Sequence, residues 1–410
     1  MLTLLDPSIL HHFESLPVGV QPFRNLNTGK LFICIKTSKE AILAAKLNGG
    51  FKFYVAPLPS PWGPMPVLMT AFFDDSDEPL LITTPLFDDE MPVHLKELLA
   101  YEVLQVHFLD EHNREWAAYN ARLADGGSCM AKGTVLALKP YSENLLFEIF
   151  HFAKRWFGDR DAVDDARAIS VDFIRPLLPD FVITDMDAER NAYVGSPGFT
   201  HVDLERERPG PPQERDIIGC LKRIYPGDQV VFSPKRSDTG NEFVDVLVTT
   251  ETHFLLFQAK DSPNTKPALG RTIERKRKTA IHQLQKAVDQ SRGAVRFAQA
   301  NPILDLRVGE NEPCPIAVGR RQLYSIVVIK EMFEHDHAEY LKAFKAVSEL
   351  GGGVVLDYAA FDRFTFRLRG PDLLLQGLET YAAASIEAGG YVEPHTFLLA
   401  LTAQGRSSRG

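Results

Sequence analysis

Residues 242–260, EFVDVLVTTETHFLLFQAK, decide how the second half of this chain is read. Two short runs rich in β-branched, aromatic and aliphatic residues, FVDVLVTT (243–250) and HFLLFQAK (253–260), flank a polar turn, the pattern of a β-hairpin. The second strand ends oddly. Its apolar run Phe254–Phe257 passes straight into Gln258, Ala259 and Lys260 instead of stopping at a turn residue. Side chains alternate along a strand, so Gln258 and Lys260 share one face and Ala259 takes the other. Asp245, 258 − 245 = 13 residues before Gln258, lies beside them once the two strands pair. By the same alternation Glu242, three residues before Asp245, is expected on the opposite face. A carboxylate next to an amide oxygen forms a hard, oxygen-lined site of the kind that suits Mg²⁺ or Mn²⁺. An adjacent ammonium can orient a water and offset charge that builds up on a phosphate. Together these groups point to phosphodiester hydrolysis.

The elements around the hairpin follow in a readable order. QERDIIGCLKRIY (213–225) places Ile217, Ile218, Leu221 and Ile224 on one helical face, and Pro226-Gly227 closes it. DQVVFSP is a strand. After the hairpin, the basic stretch RTIERKRK (271–278) runs into a helix, AIHQLQKAVDQSRGAVRFA, with Ile281, Leu284, Val288 and Val295 inward. LYSIVVIK (323–330) is a continuous apolar strand, as in the middle of a sheet covered on both faces. Beyond it the pattern predicts a helix over 338–349, strands near 353–357 and 364–368, and a helix over 371–386.

This arrangement resembles the PD-(D/E)XK, or restriction-endonuclease-like, nuclease superfamily over roughly residues 205–370. There an acid on one strand is followed, about a dozen residues on, by acid-x-Lys on the next; here QAK fills the second position, as in the QxK branch that includes Mrr-like restriction enzymes. The resemblance implies a C-terminal domain with a mixed central sheet flanked by helices, and an endonuclease that uses Mg²⁺ or Mn²⁺. In this role Asp245, Gln258 and Glu214 bind the metal, with Asp216 as the alternative to Glu214, and Lys260 positions the attacking water. Arg271, Arg275, Lys276, Arg277 and Lys278, with Gln283 and Lys286 on the following helix, contact nucleic acid. DNA is favoured over RNA, a homodimer would suit two cuts in a duplex, and bacterial defence or restriction effectors share this layout. The alternative is a nuclease-fold module without activity that binds nucleic acid or a protein partner, which the missing second carboxylate favours.

The first half reads as a separate α+β domain. LFICIK (31–36) and FKFYVA (51–56) are strands around a helix with Thr37 and Ser38 as cap candidates and an Asn-Gly-Gly stop. PVLMTAFF and PLLITTPLF are further strands, and VLQVHFLDEHNREWAAYNARL is a hairpin turning at Asp110–Asn113. The expected layout is therefore an N-terminal α+β domain over 1–135, a helical connector over 136–204 and the nuclease-like domain over 205–410. The N-terminal domain is the natural place for an activating ligand or partner.

The totals set limits. At 410 residues, 45% hydrophobic and 24% charged, the chain matches an ordinary globular protein of about two domains. A formal charge of −9 argues against indiscriminate coating of nucleic acid, though not against a local basic surface. Cys34, Cys129, Cys220 and Cys314 are scattered, with no CxxC pair, so a zinc site or a disulfide framework is not expected and a reducing cytoplasm is the natural setting. No run approaches the roughly 20 apolar residues of a membrane span. The EHDH at 334–337 reads as a solvated helix start, and NTGKLF lacks the spacing of a phosphate loop.

Overall fold

The computed structural model describes residues 9, 12–13, 18–25, 28–59, 64–74, 79–124, 138–140, 142–184, 193–333 and 336–407. The expected end of the N-terminal domain near residue 135, Cys129, and residues 334–335 of EHDH lie outside them. Helices and strands are mixed throughout, an α+β protein as the sequence patterns predict. The chain divides into two compact units. One comprises Met1–Val182 with Asp203–Glu205 and Asn264–Gly270; the other comprises Ile183–Val202, Arg206–Pro263 and Arg271–Gly410. No helix among the described residues is long and apolar enough to cross a membrane.

The first unit is built on eight strands: β1 (Gly19–Arg24), β2 (Leu31–Lys36), β3 (Gly50–Leu58), β4 (Met65–Phe72), β5 (Leu80–Pro85), β6 (Val103–Leu109), β7 (Glu115–Ala124) and β8 (Ile169–Pro176). They form one sheet in the order β1-β2-β6-β7-β8-β3-β4-β5, parallel only where β2 meets β6. The sheet curls until its edges approach, and the Val20 N–H donates to Thr84 Oγ1 at 3.2 Å. Helix α1 (Lys39–Asn48) starts where Ser38 accepts the Ala41 N–H and stops at Gly49, whose φ of +67° suits glycine. Helix α2 spans Glu90–Leu98. The hairpin turn between β6 and β7 is locked by Asp110, which accepts the Trp116 indole N–H at 2.7 Å and the Arg114 Nε–H at 2.7 Å.

Two expectations about the middle of the chain need correction. The connector expected over 136–204 does contain helices, α3 (Glu143–Asp159) and α4 (Ala162–Arg167), but α3 packs Ile149, Phe152 and Phe157 into one core with Tyr54 and Met69 of the first unit. The stretch after it, read as helical, is β8, which sits inside the sheet between β7 and β3. The first unit therefore runs to Val182 rather than stopping near 135. The second correction concerns 364–368, expected as a strand. Residues 364–367 belong to a helix, Tyr358–Arg367, with Leu368 at its C-cap, and it is begun by Asp357, whose side chain accepts the Ala360 N–H at 2.6 Å; Phe361 and Phe364 are buried on its inner face.

In the second unit, helix α5 (Gly210–Leu221) precedes a five-stranded sheet of β9 (Val230–Phe232), β10 (Val246–Thr249), β11 (His253–Lys260), β12 (Gln322–Ile329) and β13 (Gly353–Asp357), side by side in that order. The hairpin predicted from 242–260 is present, with Val246 opposite Phe257 and Thr249 opposite Phe254. β9 pairs antiparallel to β10, whereas β12 runs parallel to both β11 and β13, so the sheet is mixed. Helix α6 (Ile273–Ala300) follows β11; α7 (His337–Ser348), α8 (Tyr358–Arg367), α9 (Pro371–Glu387) and α10 (Pro394–Ser407) complete the unit. Alternation along β11 splits its apolar side chains between two cores. Leu255 and Phe257 join Ile217, Ile218 and Leu221 of α5, and Phe254 and Leu256 join Ala294, Val295 and Ala298 of α6. Phe257 is fully buried and meets Phe361 edge-on at 5.6 Å between ring centres. Burial of a side chain of this size contributes about 1.5–3 kcal/mol. The strand that carries QAK is thus clamped from both sides, which fixes where its last residues stand.

Candidate functional site

The antiparallel ladder that holds β10 to β11 brings Asp245 to the end of β11. The Asp245 N–H donates to the Phe257 carbonyl at 3.1 Å, and its carboxylate turns back along the neighbouring strand. Asp245 Oδ2 accepts the Ala259 N–H at 2.5 Å and stands 3.3 Å from Lys260 Nζ. The ammonium also donates to the Ala259 carbonyl at 2.7 Å. Asp245 is 4% exposed and Gln258 is 3% exposed, so the pair is withdrawn from bulk water. Gln258 Oε1 has no hydrogen-bond partner. An unpaired buried acceptor costs about 1–3 kcal/mol, so this oxygen is available to a ligand.

Glu214 reaches the same place from α5. It stands three and four residues before Ile217 and Ile218, which pack in the core, and so shares the helix face turned to the sheet. Burial, reinforced by the charges of Asp245 and Glu242, pushes its carboxyl up to about 8, with Lys260 and Arg215 pulling the other way. Asp216, the alternative on the same helix, is buried and acts instead on Cys220 one turn further along. Gln213, which the sequence reading passed over, is buried beside Glu214 in sequence, and its Oε1 also lacks a partner.

Glu242 is the residue that strand alternation misplaced. Apart from the isolated pairing of Glu242 with Lys235, residues 241–245 lie outside the β10–β11 ladder, so the period of two does not carry from Asp245 to Glu242. The Glu242 carboxyl stands close enough to Asp245 to feel its charge. Loss of water around that carboxyl raises its pKa, the Ser233 hydrogen bond opposes this, and the Asp245 charge raises it further. Because Glu242 as a residue is exposed, the Asp245 charge is the firmer of the two causes. Among the described residues no group of three or more His, Cys, Asp or Glu side chains is placed so that it could hold a metal ion. The oxygen donors present are carboxylates and the Gln258 amide, a set that fits a hard divalent ion and not a soft one.

The basic stretch 271–278 does not precede α6 but forms its beginning, with Thr272 at the cap position. Arg275 and Lys276 therefore occupy the first turn of a helix, where the macrodipole disfavours cations, and Arg277 and Lys278 follow in the second. Arg277 is held by Asp336 through two contacts, Nε to Oδ2 at 3.0 Å and Nη2 to Oδ1 at 2.7 Å. Lys278 pairs with Glu274 at 2.8 Å on the exposed side. Arg275 and Lys286 are exposed, and Arg271 is partly so. Gln283 bonds to the residues that follow β11. It donates to the Asp261 carbonyl at 2.9 Å and Ser262 Oγ at 3.3 Å, and so braces the chain just beyond Lys260.

No family model, curated protein or solved structure matches this chain.

Proposed function

We propose that the second unit is a metal-dependent endonuclease of the restriction-endonuclease-like type, acting on DNA, with Asp245, Gln258 and Glu214 as metal-binding groups. The reading rests above all on one observation: a buried amide oxygen without a partner, Gln258 Oε1, at a strand end beside a buried carboxylate and an ammonium. The order of helix, antiparallel hairpin, helix and parallel strand supports it, because this is the frame that the sequence motif calls for. When bound, Mg²⁺ or Mn²⁺ would polarise the scissile phosphate and lower the pKa of an attacking water.

The chain's own groups have separate tasks. Asp245 and Gln258 offer one charged and one neutral oxygen from adjacent strands. Glu214 adds a carboxylate whose high pKa marks a place that favours positive charge. Lys260, now balanced by Asp245, carries the cation that would orient water and meet charge developing on the phosphate. Arg275 and Lys276 in the first turn of α6, where the macrodipole disfavours a cation, would suit contact with a phosphate backbone. The family's layout makes a bacterial defence or restriction effector the matching role, with the first unit as the place for an activating partner or ligand.

The test is incubation of the full chain with supercoiled plasmid, single-stranded DNA and RNA in Mg²⁺, Mn²⁺ or EDTA, alongside Lys260→Ala and Asp245→Ala. Cleavage of DNA that needs metal and disappears in both variants is the expected result. Cleavage that survives both substitutions would refute the site. Absence of cleavage with retained DNA binding would favour the inactive binding module, for which the Gln at 258 is the specific argument.

A further inference from the structure

We infer that Glu242 is a second acidic arm of this site, supplying the charge that Gln258 lacks, and that Ser233 is the residue that positions it. The inference rests on the metal-site reading above. It starts from the backbone. Ser233 follows β9 with a φ of +44°, in the left-handed region that residues other than glycine rarely adopt. Holding a serine there is unfavourable, so its surroundings must enforce it. They do so with two hydrogen bonds. The Ser233 N–H donates to the Asp245 carbonyl at 2.9 Å, and Ser233 Oγ donates to Glu242 Oε1 at 2.5 Å.

One strained residue therefore grips both the backbone of Asp245 and the side chain of Glu242. The chain between them leaves the sheet at Pro234, whose carbonyl accepts the Phe243 N–H at 2.8 Å, and returns after the turn at Gly240. This closed excursion carries Glu242 back to the side of Asp245 that a regular strand would deny it. Ser233 thereby holds the Glu242 carboxyl beside the strand end that carries Asp245, an arrangement that stability alone does not favour because like charges repel. Ser233 supplies a neutral donor that fixes the Glu242 carboxyl without cancelling its charge. Glu242 is exposed where Asp245 and Gln258 are buried, so it stands at the solvent-facing side of the oxygen cluster, where an entering cation arrives first.

The experiment is a Mn²⁺ titration of the full chain followed by the electron paramagnetic resonance signal of free Mn²⁺, with thermal melts in EDTA on the same samples. Glu242→Gln should weaken Mn²⁺ binding tenfold or more. Ser233→Gly removes the hydroxyl but relaxes the left-handed backbone, so it should weaken binding by about tenfold while the melting temperature holds or rises. Asp245→Ala should abolish binding. Glu242→Gln and Ser233→Gly that bind Mn²⁺ like the wild type, with Asp245→Ala inactive in binding, would overturn the inference and leave the site intact. A wild type that binds no Mn²⁺, or an Asp245→Ala variant that binds normally, would overturn both.

Discussion

Glu214 offers the sharpest quantitative test of where the carboxylates stand. Its pKa of about 8, against 4.5 for the ordinary group, means that the folded chain keeps a proton that the unfolded chain has released. The sign follows directly. The stabilisation is complete below about pH 4.5, where both states are protonated, and it drains away as pH rises, until it is lost once pH passes through about 8. Inside that window each pH unit removes about 1.4 kcal/mol. Between pH 5.5 and 7.5 the loss is at most about 2.7 kcal/mol, and water at the partly exposed carboxyl brings it to roughly 1–2 kcal/mol. For a unit of this size that corresponds to roughly 2–8 °C in melting temperature. Asp357, whose carboxyl pKa burial also raises, drifts the same way, so the informative quantity is the difference between wild type and Glu214→Gln. Calorimetric melts in EDTA from pH 5 to 9 should show the wild type losing ground to the variant across the window and levelling off above it. Parallel curves would mean that the Glu214 carboxyl is not shielded beside Asp245 and Glu242, and its place in the site would fall.

Two further perturbations examine other parts of the same reasoning. Gln258→Glu adds a carboxylate to the cluster; it should lower the melting temperature in EDTA at pH 7.5 and tighten Mn²⁺ binding several-fold, and unchanged Mn²⁺ affinity would show that residue 258 is not a ligand arm. Gly353→Ala puts a Cβ 2.6 Å from the Ser325 carbonyl oxygen and 3.0 Å from Val347, inside the parallel pairing of β12 and β13. Since neither backbone can yield, urea unfolding should show a loss of about 1–3 kcal/mol, and full stability would contradict that register.

What could be read in advance was what is local. The hairpin at 246–260 announces itself through uninterrupted β-branched and aromatic residues, and α6 through apolar residues three and four apart from Ala280 to Ala298. β8 was hidden because its alternation of Ile169, Val171 and Phe173 is embedded among good helix formers, and because its partners β7 and β3 lie far away in sequence. At 364–368, FTFRL alternates like a strand, but the Asp357 cap and the core contacts of Phe361 and Phe364 favour a helix. The site divides in the same way. Asp245, Gln258 and Lys260 follow from strand pairing alone. Arg277 looked available to nucleic acid, yet its partner Asp336 lies 59 residues away, where no local pattern points. Glu242 was set aside by an alternation rule that a single left-handed serine annuls.

That serine also bears on why a glutamine stands at 258. Glu214, Glu242 and Asp245 already act on one another, and Lys260 and Arg215 are the cations that oppose them at Glu214. A fourth carboxylate on β11, withdrawn from water as Gln258 is, would meet all three at low dielectric, where each repulsion is strongest. An amide keeps the lone pair that a hard cation needs and omits the charge. If Glu242 carries the missing charge from the far side of Asp245, the total available to a metal is that of an ordinary acidic site, moved from β11 to the turn after β9. On this account the glutamine and the strained serine are two halves of one rearrangement, and neither is a sign of a decayed enzyme.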